Sequence, residues 1–106
     1  MIKSNLNNFF KGWFIGNFEP TLDNTDDFEV AIKRYKKADY EESHVHKIST
    51  EYTIIITGTV IMNGKKYTDD DIIVIEPGEY TDFECLTDVV TCCVKTPSSK
   101  NDKYLK

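Results

Sequence analysis

His44-Val45-His46-Lys47-Ile48-Ser49-Thr50-Glu51-Tyr52-Thr53-Ile54-Ile55-Ile56-Thr57-Gly58 is the stretch on which the reading of this chain turns. Its second half is rich in β-branched side chains, which suit a pleated strand. On an extended chain, residues two apart leave from the same face, so His44 and His46, the only two histidines, share one. Two imidazoles so placed can converge on one metal ion or one substrate. Glu51 follows at an odd offset, which on an unbroken strand sends it to the opposite face. Lys47-Ile48-Ser49-Thr50 must therefore bend or bulge the chain if Glu51 is to join the histidines. Beyond it, Thr53, Ile55 and Thr57 share the Glu51 face, and Tyr52, Ile54 and Ile56 take the other. Gly58 stands where a tight turn is needed.

Working outward, the rest of the chain reads as short strands between turn signals. Asp27 to Tyr35 alternates, with Phe28, Val30, Ile32 and Arg34 on one face and Glu29, Ala31, Lys33 and Tyr35 on the other. Thr59 to Met62 runs into Asn63-Gly64, a strong hairpin signal because both residues tolerate positive φ. Lys65 to Thr68 then returns as the partner. Ile72 to Ile75 is a continuous apolar run, the pattern of a strand buried on both faces, and Pro77-Gly78 ends it. Tyr80 to Glu84 and Asp88 to Lys95 supply the last two strands. No segment carries helical apolar spacing over three turns, so little helix is expected. Many short strands at close spacing predict a sandwich or barrel.

A length of 106 residues predicts one domain, with its core at about 28–95 and a loosely ordered polar tail at 97–106. The charged fraction of 29% and hydrophobic fraction of 40% are those of a soluble globular protein. A net charge of −5 argues against nucleic acid as a partner, since phosphate binding needs a concentrated positive surface. The one basic run, Lys33 to Lys37, reads as a solvated strand and loop. The N-terminus lacks the apolar run of a signal peptide, and no apolar stretch approaches membrane-spanning length, so a cytoplasmic protein without a membrane partner is expected. Cys85, Cys92 and Cys93 are odd in number. Cys92 and Cys93, adjacent on a strand, point to opposite faces, so all three read as reduced apolar strand residues. The aromatics Phe9, Phe10, Trp13 and Phe14 suggest a contact between two copies.

The spacing His44-x-His46, four residues, Glu51, six residues, Gly58 resembles the first sequence motif of the cupin family at every defining position. Asp70-Asp71, the strand Ile72–Ile75 and Pro77-Gly78 follow the outline of its second motif, with Asp71 at the aspartate. The histidine of that motif is replaced by Thr81, beside Asp82. The resemblance runs from about Val30 to Val94. It implies an all-β fold, a cupin-type antiparallel β-barrel (double-stranded β-helix or jelly roll). It also implies His44, His46 and Glu51 as ligands of a divalent metal, with Asp82 as a fourth donor if its strand shifts by one residue. Two imidazoles and a carboxylate suit Fe, Mn, Ni or Zn and leave positions for water or substrate. The absent histidine gives weight to a metal-free alternative, a sugar or sugar-nucleotide isomerase or epimerase with His44 or His46 as acid or base. A ligand-binding module without turnover is the third. All three imply a small-molecule ligand, with carbohydrates among the candidates, and the resemblance adds a homodimer.

Overall fold

The computed structural model describes residues 1–105. Two five-stranded sheets face each other, and every strand pair in them is antiparallel. The first holds β1 (Trp13–Ile15), β2 (Glu29–Tyr35), β4 (Thr50–Thr57), β7 (Ile72–Ile75) and β9 (Val89–Thr96), in the order β1-β2-β9-β4-β7. The second holds β3 (Tyr40–Val45), β5 (Val60–Met62), β6 (Lys65–Tyr67), β8 (Tyr80–Cys85) and β10 (Tyr104–Leu105), in the order β10-β3-β8-β5-β6. Helix among the described residues is confined to two short 3₁₀ turns, Leu6–Asn8 and Phe10–Gly12.

The alternations expected from sequence set which side chains enter the space between the sheets. In β2 the inward set is the one containing Ala31, which is fully buried. In β4 Thr53 and Ile55 are buried while Tyr52 and Ile56 stand in solvent. In β8 Thr81, Phe83 and Cys85 point in. In β9 Val89, Thr91 and Cys93 do so, and Cys92 lies on the opposite face from Cys93. The apolar core gathers at one end of the sandwich around Ile55, Val60, Met62, Ile75, Phe83, Cys85 and Val89. The other end keeps His44, His46, Thr53, Thr81 and Thr91 inside.

Two expectations need correction. Ile72 to Ile75 is not buried on both faces, because β7 is the edge strand of its sheet: Ile75 points into the core while Ile72 and Val74 are exposed. The C-terminal stretch is not loose. Tyr104–Leu105 pairs with β3 as β10, and Ser98 and Asp102 are buried.

The turns behave as their residues require. Asn63 and Gly64 have φ of 49° and 80°, the pair of left-handed residues that joins β5 to β6 with the twist of the strands. Gly58 has φ of 110°, and a Cβ there would lie 2.4 Å from the Asp88 carbonyl oxygen. Its amide donates to Asp69 Oδ1 at 2.7 Å, which fixes it in place. Gly58→Ala is therefore expected to cost about 2–4 kcal/mol, from backbone strain and a clash with a backbone atom. The urea midpoint checks this, and an unchanged midpoint would contradict it.

Candidate functional site

His44 and His46 sit at the end of β3, where the chain leaves one sheet for the other. Residues 46–49 make that crossing, and β4 begins at Thr50 in the facing sheet. The break demanded by the odd offset of Glu51 is thus a change of sheet. It turns Glu51 back across the sandwich toward the histidines. Asp102 holds the crossing: its carboxylate accepts from the amides of Lys47 (2.9 Å), Ile48 (3.1 Å) and Ser49 (2.9 Å). Ser49 Oγ donates to the Pro97 carbonyl at 2.7 Å, and the Gly78 amide donates to the His46 carbonyl at 2.8 Å.

Both imidazoles are held by backbone carbonyls through Nδ1: His44 by Glu42, at 2.9 Å, and His46 by Asp102. A carbonyl only accepts, so Nδ1 carries the proton in each ring and Nε2 is the atom that gains or loses one. His46 Nε2 lies 3.3 Å from Glu51 Oε1 but is not aligned as a hydrogen bond to it, and it is buried without another partner. Glu51 Oε2 accepts from the Thr53 hydroxyl at 2.8 Å. The two histidine rings meet edge to face, 5.4 Å between centroids.

These groups line a cavity of about 250 Å³ that also receives Thr81, Thr91, Cys93, Trp13 and the lysines Lys11, Lys33, Lys95 and Lys103. A larger, more open cleft lies against the N-terminal segment and Tyr40, but it contains neither histidine.

Of the residues expected from sequence, His46 and Glu51 come together, and His44 lies beside them in the same cavity. Asp82 reaches the cavity wall but does not join the group around His46. The register places Thr81, not Asp82, opposite His44, and Asp82 Oδ1 accepts from the Asn63 amide at 2.7 Å, so Asp82 serves the β5–β6 hairpin. Thr81 is buried, and its hydroxyl donates to the Asp82 carbonyl at 2.9 Å. As the side chains lie, no three His, Cys, Asp or Glu groups among the described residues stand close enough to hold one metal ion. Glu42 orients an imidazole through its carbonyl rather than its carboxylate.

Asp102, Lys95 and Lys103 were not singled out from the sequence. Asp102 looks like one more charge in a polar tail, and its role needs a contact more than 50 residues distant in the chain. Trp13 lines the cavity, with Phe18 edge-on at 6.5 Å.

Burial raises the Glu51 carboxyl, but the His46 ring, the Lys95 charge and the Thr53 hydroxyl outweigh it and hold the group at about 2. Burial, only partly offset by the Glu42 carbonyl, lowers His44, and Lys103 lowers it further. Asp102 is pushed up by burial and brought down further by the amides it accepts from. Partial burial raises Glu29, half-buried in β2. Burial lifts all three thiols, Cys85 to about 11, so they are protonated and poor nucleophiles at neutral pH.

No protein-family model matches the chain, and no curated protein does. Solved structures do. A conserved protein with a double-stranded β-helix domain from Klebsiella pneumoniae superposes with a TM-score of 0.70 at 20% identity, over 76% of this chain and 71% of that one. An RmlC-like cupin from Shewanella frigidimarina gives 0.65 at 17%, over 73% and 71%. This chain has the cupin fold. A sugar phosphate isomerase of the cupin superfamily from Silicibacter pomeroyi matches at 0.59 and 16%, over 66% of this chain and 50% of that one. No helix among the described residues is long and apolar enough to cross a membrane.

The shifts fix the sign of the acid response. Glu51 and Asp102 ionise more readily folded than unfolded, so the stability they contribute is present above the ordinary carboxylate value and lost below it. For Glu51 that loss runs from about pH 4.5 down to about 2. His44 takes up a proton more readily when unfolded, so stability begins to fall below about pH 6.5. Glu29 acts in the opposite sense. The urea midpoint is expected to fall between pH 7 and pH 3. Glu51→Gln is expected to be less stable at pH 7 and to show a shallower decline. A wild-type midpoint that is flat or rises toward pH 3 would contradict this reading.

Proposed function

We propose that this cupin binds a small molecule, of carbohydrate type, in the cavity at the polar end of the barrel and moves a proton on it through His46. The observation that carries this reading is the buried, unpartnered Nε2 of His46 beside the Glu51 carboxylate. With Nδ1 committed to the Asp102 carbonyl, Nε2 is the only ring position open to exchange a proton with a ligand. Glu51, ionised and 3.3 Å away, steadies the ring when it is protonated. His44 and the Thr81 and Thr91 hydroxyls give the surroundings of that atom a polar character suited to hydroxyl groups. The likeness to a sugar phosphate isomerase supports the substrate class. The reaction class is removal and return of a proton beside a carbonyl, the step by which aldoses and ketoses interconvert or epimerise.

A divalent metal held by His44, His46 and Glu51 is the second reading. The same unpartnered Nε2 favours it, since a metal would take the lone pair that a proton takes. The donor set does not fit as it lies: the three groups are not within reach of one ion, Thr81 stands where a fourth ligand is needed, and lysines bring positive charge into the cavity. No step is therefore routed through a metal.

Both readings are tested together. The protein, purified without chelator or metal affinity, is incubated with a panel of aldoses, ketoses and their phosphates in D₂O, and C–H exchange is followed by NMR. Exchange is expected at a carbon next to the carbonyl, with a loss of about 100-fold or more in His46→Gln. Absence of exchange across the panel, or undiminished exchange in the variant, rejects the proton-transfer reading. Stoichiometric Fe, Mn, Ni or Zn by elemental analysis, lost in His46→Gln, replaces it with the metal reading.

We further propose a homodimer, formed through the outer face of β4 and β7. Tyr52, Ile56, Ile72 and Val74 stand there 40%, 44%, 63% and 46% exposed, an apolar surface on β4 and the edge strand β7. Light scattering at micromolar concentration is expected to give twice the chain mass, falling to the chain mass for Ile72→Lys/Val74→Lys. A monomeric wild type rules the dimer out.

A further inference from the structure

The cavity is a local exception to the charge of the chain. Overall, 18 acidic residues outnumber 13 basic ones. The cavity wall reverses this, with Lys11, Lys33, Lys95 and Lys103 against Glu41, Glu51 and Asp82. The three carboxylates are already engaged. Glu41 accepts from the Tyr35 hydroxyl at 2.9 Å and lies 3.9 Å from Lys33 Nζ. Glu51 faces His46 and accepts from Thr53, and Asp82 accepts from the Asn63 amide. Among the described residues, Lys95, Lys103 and Lys11 have no carboxylate within ion-pairing distance.

Lys95 is the best placed of the three. It ends the inward series Val89, Thr91, Cys93 on β9, and its ammonium lies 4.9 Å from the centre of the Trp13 ring, which also takes Lys33 at 5.8 Å. That cation–π contact places the charged head against the Trp13 ring in the cavity wall. Lys95 stands between two register partners, Glu29 in β2 and Glu51 in β4; burial raises the Glu29 carboxyl, and Glu51 is shared with His46 and the Thr53 hydroxyl. Lys103 follows Asp102, so the residue that clasps the crossing also positions a second cation near His44. Two or more cations in a small, half-enclosed cavity, none of them ion-paired to a carboxylate of the described residues, are a site for an anionic group.

We propose that the ligand of this cavity carries a phosphate or carboxylate group, held by Lys95 and Lys103 so that its neighbouring carbons lie against His46. The inference rests on the reading of the cavity as the ligand site, and it adds the charge of the ligand. Phosphate and carboxylate share the chemistry and are separated by the probes. The full chain is titrated by ¹H–¹⁵N NMR with D-glucose 6-phosphate, D-glucuronate, inorganic phosphate and uncharged D-glucose. At least one anionic sugar is expected to bind about tenfold or more tightly than D-glucose, to shift the Lys95 and His46 amides, and to weaken as salt rises. Preference for the glucose phosphate over glucuronate assigns a phosphate, and the reverse assigns a carboxylate. Lys95→Met and Lys103→Met, each verified as folded by its spectrum, are expected to weaken the anionic sugar about tenfold and leave D-glucose unaffected, with Lys95→Arg restoring part of the loss. Equal binding of charged and uncharged sugar, no binding of any anionic probe, or Met variants that bind like wild type each overturn the proposal. The test does not depend on turnover. Lysine-dependent binding without C–H exchange leaves this inference standing and removes proton transfer, whereas exchange without charge preference does the reverse.

Discussion

The clasp of Asp102 on the crossing between β3 and β4 is the interaction on which the site depends. A chain leaving one sheet for the facing one exposes amides that no ladder can satisfy, and here they are part-buried at Lys47 and Ile48 and buried at Ser49. One ionised carboxylate accepts from three successive residues, Lys47, Ile48 and Ser49. The carbonyl of the same residue holds His46 through Nδ1. Backbone geometry and imidazole orientation are therefore set by one residue, brought in from the far end of the chain by the pairing of β10 with β3. Without the crossing, His46 and Glu51 would belong to opposite faces of one strand. With it they face each other 3.3 Å apart.

The strands divide the interior lengthwise. β4 passes from Glu51 through Thr53 to Ile55, β8 from Thr81 to Phe83 and Cys85, and β9 from Lys95 through Thr91 to Val89. Each carries polar side chains at one end and apolar ones at the other, all on its inward face. The apolar half is densely filled by Ile55, Val60, Phe83 and Val89 and supplies the burial that holds the sheets together. The polar half can then remain a cavity. Charged and hydroxylic groups are tolerated there because each is tied to a neighbour: Glu51 to Thr53, His44 to the Glu42 carbonyl, Thr81 to the Asp82 carbonyl. Lys95 is the exception, set on the Trp13 ring with no carboxylate of the described residues within ion-pairing distance.

The sequence by itself determined the all-β fold, the strand alternations and the Asn63-Gly64 hairpin, and it required a break between His46 and Glu51 if the two were to meet. These follow from local rules: β-branched residues fit a pleat, period two sorts faces, left-handed residues close hairpins, and an odd offset demands a break. The motif from His44 to Gly58 is compact enough for its spacing to encode geometry. Tertiary structure alone decided which face of β2 turns inward, that Ile72–Ile75 lies at a sheet edge, and that Asp82 serves a hairpin while Thr81 faces His44. It alone brought Trp13, Lys95, Asp102 and Lys103 to the histidines. An apolar run reads the same at an edge as at a centre, because exposure depends on what the other strands cover. A charged side chain in a tail reads as solvated, because its buried partners lie more than 50 residues away and only the closing of one sheet over the other brings them within reach.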